Sequence, residues 1–594
     1  MSAIHYQISA PNPNNHQFHV QLNFAAEPGK SYQLQLPAWL PGSYMIRDFA
    51  KNIIGLSAHN SNGDSLEISQ LDKQNWQLTA TDQQVSVSYH VFAFDLSVRT
   101  AYLDSERGFF NGSSTFLAVK ELADQPCLLT IIPVDNKQDW RVATGMPRNK
   151  GTEKFQFGDY CAESYDQLID CPVAIGDFDV TEFTVEGVIH HLVFTSQHYG
   201  DTQRIAQDLT KLCQHHINLF GEAPFDEYWF ITHLQASGFG GLEHKNSTIL
   251  QASRFDLPNP NKVEELTESY KTFLSLCSHE YFHAWNVCRI KPEEFVPYQL
   301  QTESYTEQLW AYEGITSYYD DFSLYRAGIV SFDDYLKLLS KTATRVYRGQ
   351  GELKQSVKAS SFNAWTKFYQ QGPDAVNNIV SYYTKGSLIA LWLDLTIRQK
   401  SNQQYSLDTL MRELWIHFGR PARGTCQDDF INIANILCQE DISNDFIACL
   451  EQAERLSLTE LLQAFGVNFN AVKYKQLNSI ETTDSQAYQA YLGVHYQTVP
   501  AGLKVTQVLA DSPAERAGIA VNDIIIALAN MKVSDKSLQN LVNYLPQGST
   551  VNCHYFRDDQ LLSEQLIITD SPLAGVALKV TDQTLAKNWQ QIIG

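Results

Sequence analysis

The sequence predicts a multidomain α+β protein, on three observations. Its first third alternates apolar and polar residues in short runs, its middle third repeats apolar residues every three or four positions, and its last part returns to short strands and turns. At 594 residues the chain is also too long for one hydrophobic core. The expected domains are an N-terminal β-rich domain at 1–185, a mostly helical body at 186–475 and a small module with a tail at 476–594.

In the first domain "HYQISA", "QFHVQLNF", "SYQLQLP", "QVSVSYHVFAF" and "CLLTIIP" read as strands, separated by Pro, Gly, Asn and Asp clusters. From "DTQRIAQDLTKLCQHHINLFG" the period becomes helical. The strand "EYWFITHLQA" interrupts, and then "KVEELTESYKTFLSLCSHEYFHAWNV", "ESYTEQLWAYEGITSYYDDFSLYRAG" and "KGSLIALWLDLTIRQK" are each periodic over their length. A small sheet followed by a helical body leaves room for a cleft at their junction.

The formal charge of −22 excludes a nucleic-acid surface, because phosphate neutralisation needs clustered Lys and Arg. No apolar run is long enough to span a bilayer, and the N-terminus has no basic start or apolar stretch, so the expectation is a cytoplasmic protein without a membrane partner. The ten cysteines include no CxxC pair and read as reduced packing residues.

In "HEYFH" the side chains of His279 and His283 are one helical turn apart and project from one face, a gap that one Zn2+ ion can bridge. Glu280 is placed to take a proton from a metal-bound water rather than to bind the metal. The string alone reads equally as a chance match on a surface helix. A third ligand is needed, and Glu303, Glu307 and Glu313 are the candidates on the next helix. Glu313 fits best, since Trp310, Gly314 and Tyr318 form an aromatic face that would bury it, and a buried carboxylate needs a partner.

"HEYFH" followed by "WAYEG" resembles the gluzincin metallopeptidases, which implies a thermolysin-like, mostly helical catalytic domain with Glu313 completing the site. Upstream, "GGLEH" taken alone reads as a glycine turn and a solvated acid. Its glycines, Gly240 and Gly241, would also let a peptide backbone approach and pair as an added strand beside Leu242, and Glu243 could then hold a substrate's α-ammonium. The segment resembles the amine-recognition strand of the glycyl aminopeptidase family. In "YYTKG", Tyr383 resembles that family's transition-state tyrosine, with Tyr382 the fallback and a substrate-side neighbour. "LPAWLPGSYMIRDFAKNI" resembles the family's N-terminal domain. There Arg47 and Asp48 read as an internal ion pair.

The last module, "YLGV" and then "GLKVTQVLADSPAERAGIAVNDIIIALANMKV", resembles a PDZ domain. The resemblance implies that Leu492, Gly493 and Val494 form a loop able to cradle a peptide or protein C-terminus. Asn522 and Asn530 stand where glycine is usual, and asparagine tolerates the positive φ needed there.

These residues together lead to the expectation of an aminopeptidase with one Zn2+, acting on peptides with a free N-terminus. The resemblance implies a preference for small first residues, Gly or Ala. A PDZ-recruited endopeptidase and a non-catalytic peptide-binding scaffold are the alternatives.

Overall fold

In the computed structural model, which describes residues 4–475 and 479–593, strands precede helices as expected and strands then return. The expected boundary at 475/476 abuts residues 476–478, which lie outside the described residues. The chain packs as two compact units, Met1–Ser304 with Trp415–Thr425 and Tyr305–Leu414 with Cys426–Gly594. The helical middle therefore contributes to both. Among the described residues no helix is long and apolar enough to cross a membrane.

The first unit begins with the β-rich domain. Its seven-stranded sheet contains Ile4–Ser9, Gln17–Ala25 and Gln84–Phe92, whose alternating burial puts Tyr6, Val20, Leu22, Val87 and Tyr89 in the core. A five-stranded sheet follows, built from β1 (Asp179–Val185), β2 (Val188–Phe194), β3 (Glu227–Gln235), β4 (Gly240–Glu243) and β5 (Ser247–Ser253). Its order is β1-β2-β3-β5-β4, so β4 stands at the edge, antiparallel to β5 with Glu243 opposite Thr248. Helix α1 (Thr202–Phe220) packs on it, and α2 (Glu268–Phe282) runs against β4 and β5.

Helix α2 is shorter than its apolar spacing suggests. It starts where the Thr267 hydroxyl accepts the Tyr270 N–H at 3.1 Å, so residues 262–266, expected as helix, lie outside it. Tyr281 and Phe282, both fully buried, anchor it through rings of Tyr228, Phe230, Phe220 and His216. The intervening aromatics of "HEYFH" thus pack the helix into the body.

In the second unit a π-helical turn at Trp310–Gly314 leads into α3 (Ile315–Arg326), followed by α4 (Phe332–Tyr347) and α5 (Thr384–Lys400). The expected helix from Glu303 therefore begins later. The strand β6 (Val467–Tyr474) pairs antiparallel with β9 (Gly575–Val580), and the module between them holds β7 (Val494–Val499), β8 (Gly502–Val508) and α6 (Asp535–Val542) around its own core. Asn522 and Asn530 adopt φ of 76° and 63°, the left-handed conformation expected of them. After β9 the chain returns to the helical body as α7 (Gln583–Gln590), where Trp589 donates to Tyr318 Oη at 3.3 Å.

Candidate active site

His279 and His283 close α2, their ring centroids 4.6 Å apart and their planes nearly perpendicular. The His283 Nδ1–H donates to the Asn286 carbonyl at 2.8 Å, which puts the lone pair of the neutral ring on Nε2 and fixes the ring. Between them, the buried Glu280 carboxylate lies against β4. A β-carbon on Gly241 would stand 2.0 Å from Glu280 Oε1, so any side chain there would push the carboxylate from this position. Thr248 Oγ1 lies 3.4 Å from Glu280 Oε2 and donates at 3.0 Å to the Leu242 carbonyl.

Two residues along β4, and so on the same face as Gly241, comes Glu243, which is 7% exposed. Leu242 faces the other way, fully buried in the β-domain core, so it offers a ligand only its backbone. Glu243 also lines a cavity of about 670 Å3 with Leu40, Pro41, Cys288, Lys291 and Tyr298 among its neighbours.

The second unit holds the remaining residues. Glu303 and Glu307 are exposed, and Glu307 pairs with Lys358 at 3.1 Å, whereas Glu313 is 2% exposed on the π-helical turn. His279 and His283 belong to the first unit and Glu313 to the second. Two imidazoles and one carboxylate are the donor set that a catalytic zinc takes, with a position left open.

Tyr383 caps the start of α5 and is half-buried, while Tyr382 has no exposed surface and packs under Phe368 and the Tyr383 ring. Burial, followed by smaller effects from Tyr369 and Glu313, raises the Tyr382 hydroxyl pKa well above the usual range. Tyr382, expected on the substrate side, is therefore a support for Tyr383 in this conformation. Lys385 Nζ, also buried, donates at 2.6 Å to the Glu454 carbonyl and ties down the same segment.

The PDZ-like module places Gly493 at φ +80° against Ser512, with the Leu492 and Gly493 carbonyls accepting from Ala514 and Leu509. Leu492 and Val494 point into its core, and β7 ends the order of its sheet. The module is moored to the helical body by Asn377, which donates to the Val508 carbonyl and accepts from the Ala510 N–H, both at 2.8 Å.

Sequence reasoning missed the partner of "LPAWLPGSY". Asp48 pairs with Lys73, and Arg47 donates to Ser43 Oγ at 2.7 and 3.0 Å, in place of the expected Arg47–Asp48 pair as the interactions that define this segment. The unusual run of Pro and Gly around Trp39 was the available signal that a backbone had to pass close to something.

Three family profiles match the chain: the Peptidase M61 N-terminal domain over residues 5–177, the M61 glycyl aminopeptidase over 272–389 and the PDZ domain over 490–568. Comparison with curated proteins finds no match. Among solved structures, an aminopeptidase N family protein from Idiomarina loihiensis is 45% identical, with a TM-score of 0.96 over 99% of this chain and 100% of its own. An M1 zinc metallopeptidase from Deinococcus radiodurans is 11% identical, with a TM-score of 0.48 over 77% of this chain and 94% of its own. With whole-length likeness to the Idiomarina protein and all three profiles in order, the chain belongs to the M61 glycyl aminopeptidase family and carries a C-terminal PDZ domain.

Proposed function

We propose that this peptidase removes the first residue of peptides with a free amino terminus, using one zinc ion held by His279, His283 and Glu313. The observation that carries this reading is the spacing on β4. Gly241 abuts the Glu280 carboxylate and Glu243 follows two residues later on the same face, about 7 Å along the strand. A group that holds an ammonium and a group that handles the proton of hydrolysis are then one substrate residue apart, which suits cleavage after the first residue.

A bound zinc ion would supply Lewis acidity and lower the pKa of a water in its open position. Glu280 accepts the proton of the attacking water and returns it to the departing amine. Tyr383 donates its phenolic hydrogen to the oxygen that gains charge. Glu243 holds the α-ammonium by a charge-assisted hydrogen bond. Gly240 and Gly241 leave the edge of β4 open for the substrate backbone, and Tyr382 keeps the Tyr383 ring in place.

The preference for Gly or Ala in first position is what the family resemblance implies, and the division at 1–185, 186–475 and 476–594 follows the sequence. The PDZ loop at Leu492, Gly493 and Val494 is read as a seat for a peptide or protein C-terminus. A panel of aminoacyl reporter substrates, free and acetylated, assayed with and without a chelator, tests the reading. Chelator-sensitive release from free Gly and Ala reporters is expected, and equal cleavage of acetylated ones would replace it with an endopeptidase.

A further inference from the structure

We propose that Gly42, in the N-terminal β domain, is the positioning residue for the Glu243 carboxylate and so sets the recognition of the substrate's amino group. A β-carbon built on Gly42 would stand 2.5 Å from both Glu243 Oε1 and Oε2 and 2.7 Å from Cδ. The same residue has φ +80°, in the left-handed region. Glycine suits the turn, and a side chain at this position would displace the Glu243 carboxylate from the place it occupies.

The loop that carries Gly42 is held firmly from both sides. Trp39, fully buried, donates its indole N–H to the Gln299 and Thr302 carbonyls at 2.9 and 2.8 Å, and the Ala38 N–H reaches the Leu300 carbonyl at 2.7 Å. Tyr44 stacks on Phe295 with centroids 5.9 Å apart, and Arg47 clamps Ser43. A rigid backbone pressed against a carboxylate limits its rotamers. That limit matters because a held geometry is what lets a charge-assisted hydrogen bond select an ammonium. Leu40 and Pro41 from the same loop line the cavity that Glu243 also lines, so the loop is a wall of the space beside that carboxylate.

This inference rests on Glu243 as the amine-binding group, and the experiment separates the two. The readout is the ratio of inhibition constants for glycine hydroxamate and N-acetylglycine hydroxamate, which isolates what the free amine adds to binding. Gly42→Ala should reduce that advantage about tenfold or more, the range of a hydrogen bond to a charged group. Gly29→Ala is the matched control, because Gly29 has φ +83° in the same domain with nothing within 4 Å of its missing β-carbon. It should leave the ratio unchanged. In a Glu243→Gln background, Gly42→Ala should have no further effect on the ratio.

If Glu243→Gln leaves the ratio untouched, the amine-binding reading fails and this proposal with it. If Glu243→Gln collapses the ratio while Gly42→Ala matches Gly29→Ala, or adds its full effect to Glu243→Gln, only the role of Gly42 is overturned. Should Gly42→Ala not yield folded protein, Ser43→Ala, which removes the acceptor for Arg47 without filling the space, takes its place. A fall in the ratio supports the proposal, and an unchanged ratio overturns it.

Discussion

Gly314 and Gly386 are in backbone contact: a β-carbon on the first would stand 2.5 Å from the Cα of the second, and one on the second 2.8 Å from the Cα of the first. The turn bearing Glu313 and the helix begun by Tyr383 cross at this point. Gly314→Ala and Gly386→Ala should each cost about 1–3 kcal/mol by overpacking. Because the crossing sets Glu313, both should also weaken metal retention in equilibrium dialysis. Loss of stability with undiminished zinc affinity would separate the crossing from the ligand.

Replacing Glu280 by Gln keeps its size beside Gly241 while removing the proposed base. Turnover should fall by about 10²–10⁴ or more with zinc content unchanged, since general acid–base catalysis contributes on that order. Metal analysis and steady-state rates on the same preparation check this, and near-normal turnover would remove Glu280 from the mechanism.

The two neighbouring tyrosines should behave differently. Tyr383→Phe should lower kcat by about 10²–10³ with little change in KM, as expected for a lost oxyanion donor. Tyr382→Phe, whose ring is fully buried under Phe368, should change kcat only slightly. The reverse ranking would exchange their roles.

Stability should decline in mild acid. Burial lowers the pKa of His190 and His495 from 6.5 to about 4 and that of His233 to about 3, with smaller effects from neighbouring cations at His495 and His233. The unfolded chain takes up protons below about 6.5 while these folded rings resist, so their contribution is complete above that pH and is lost as pH falls toward 4 and then 3. Denaturation midpoints measured between pH 7 and 4 should show this slope. His233→Gln should flatten it, and an unchanged slope would assign the effect to other groups.

What could be read from the sequence was local. His279, Glu280 and His283 are related by one helical turn, and the apolar surroundings of Glu313 distinguished it from Glu303 and Glu307, which prove exposed. Helix starts were less legible, because apolar spacing continues through residues 262–266 and 303–309 while caps and a π-helical turn decide where hydrogen bonding begins. Contacts across long separations were invisible. Nothing in the spacing of Gly42 and Glu243, or of Gly314 and Gly386, announces that each pair meets, since the sheet edge and the helix crossing that bring them together depend on the whole fold. The Arg47–Asp48 expectation failed similarly, adjacency in sequence having been taken for adjacency of charge.

The pairing of β6 with β9 gives the PDZ domain an unexpected status. Val472 lies opposite Gly575, so the module's two connections leave the body side by side, and the PDZ domain is an insert in a hairpin rather than an appendage. The segment beyond it, which places Val576 on Thr344 and Trp589 on Tyr318, belongs to the peptidase's own framework. A genetic excision that rejoins the hairpin should therefore spare the hydrolytic scaffold, whereas a stop codon ahead of the insert would strip a supporting layer from the helix that follows Glu313.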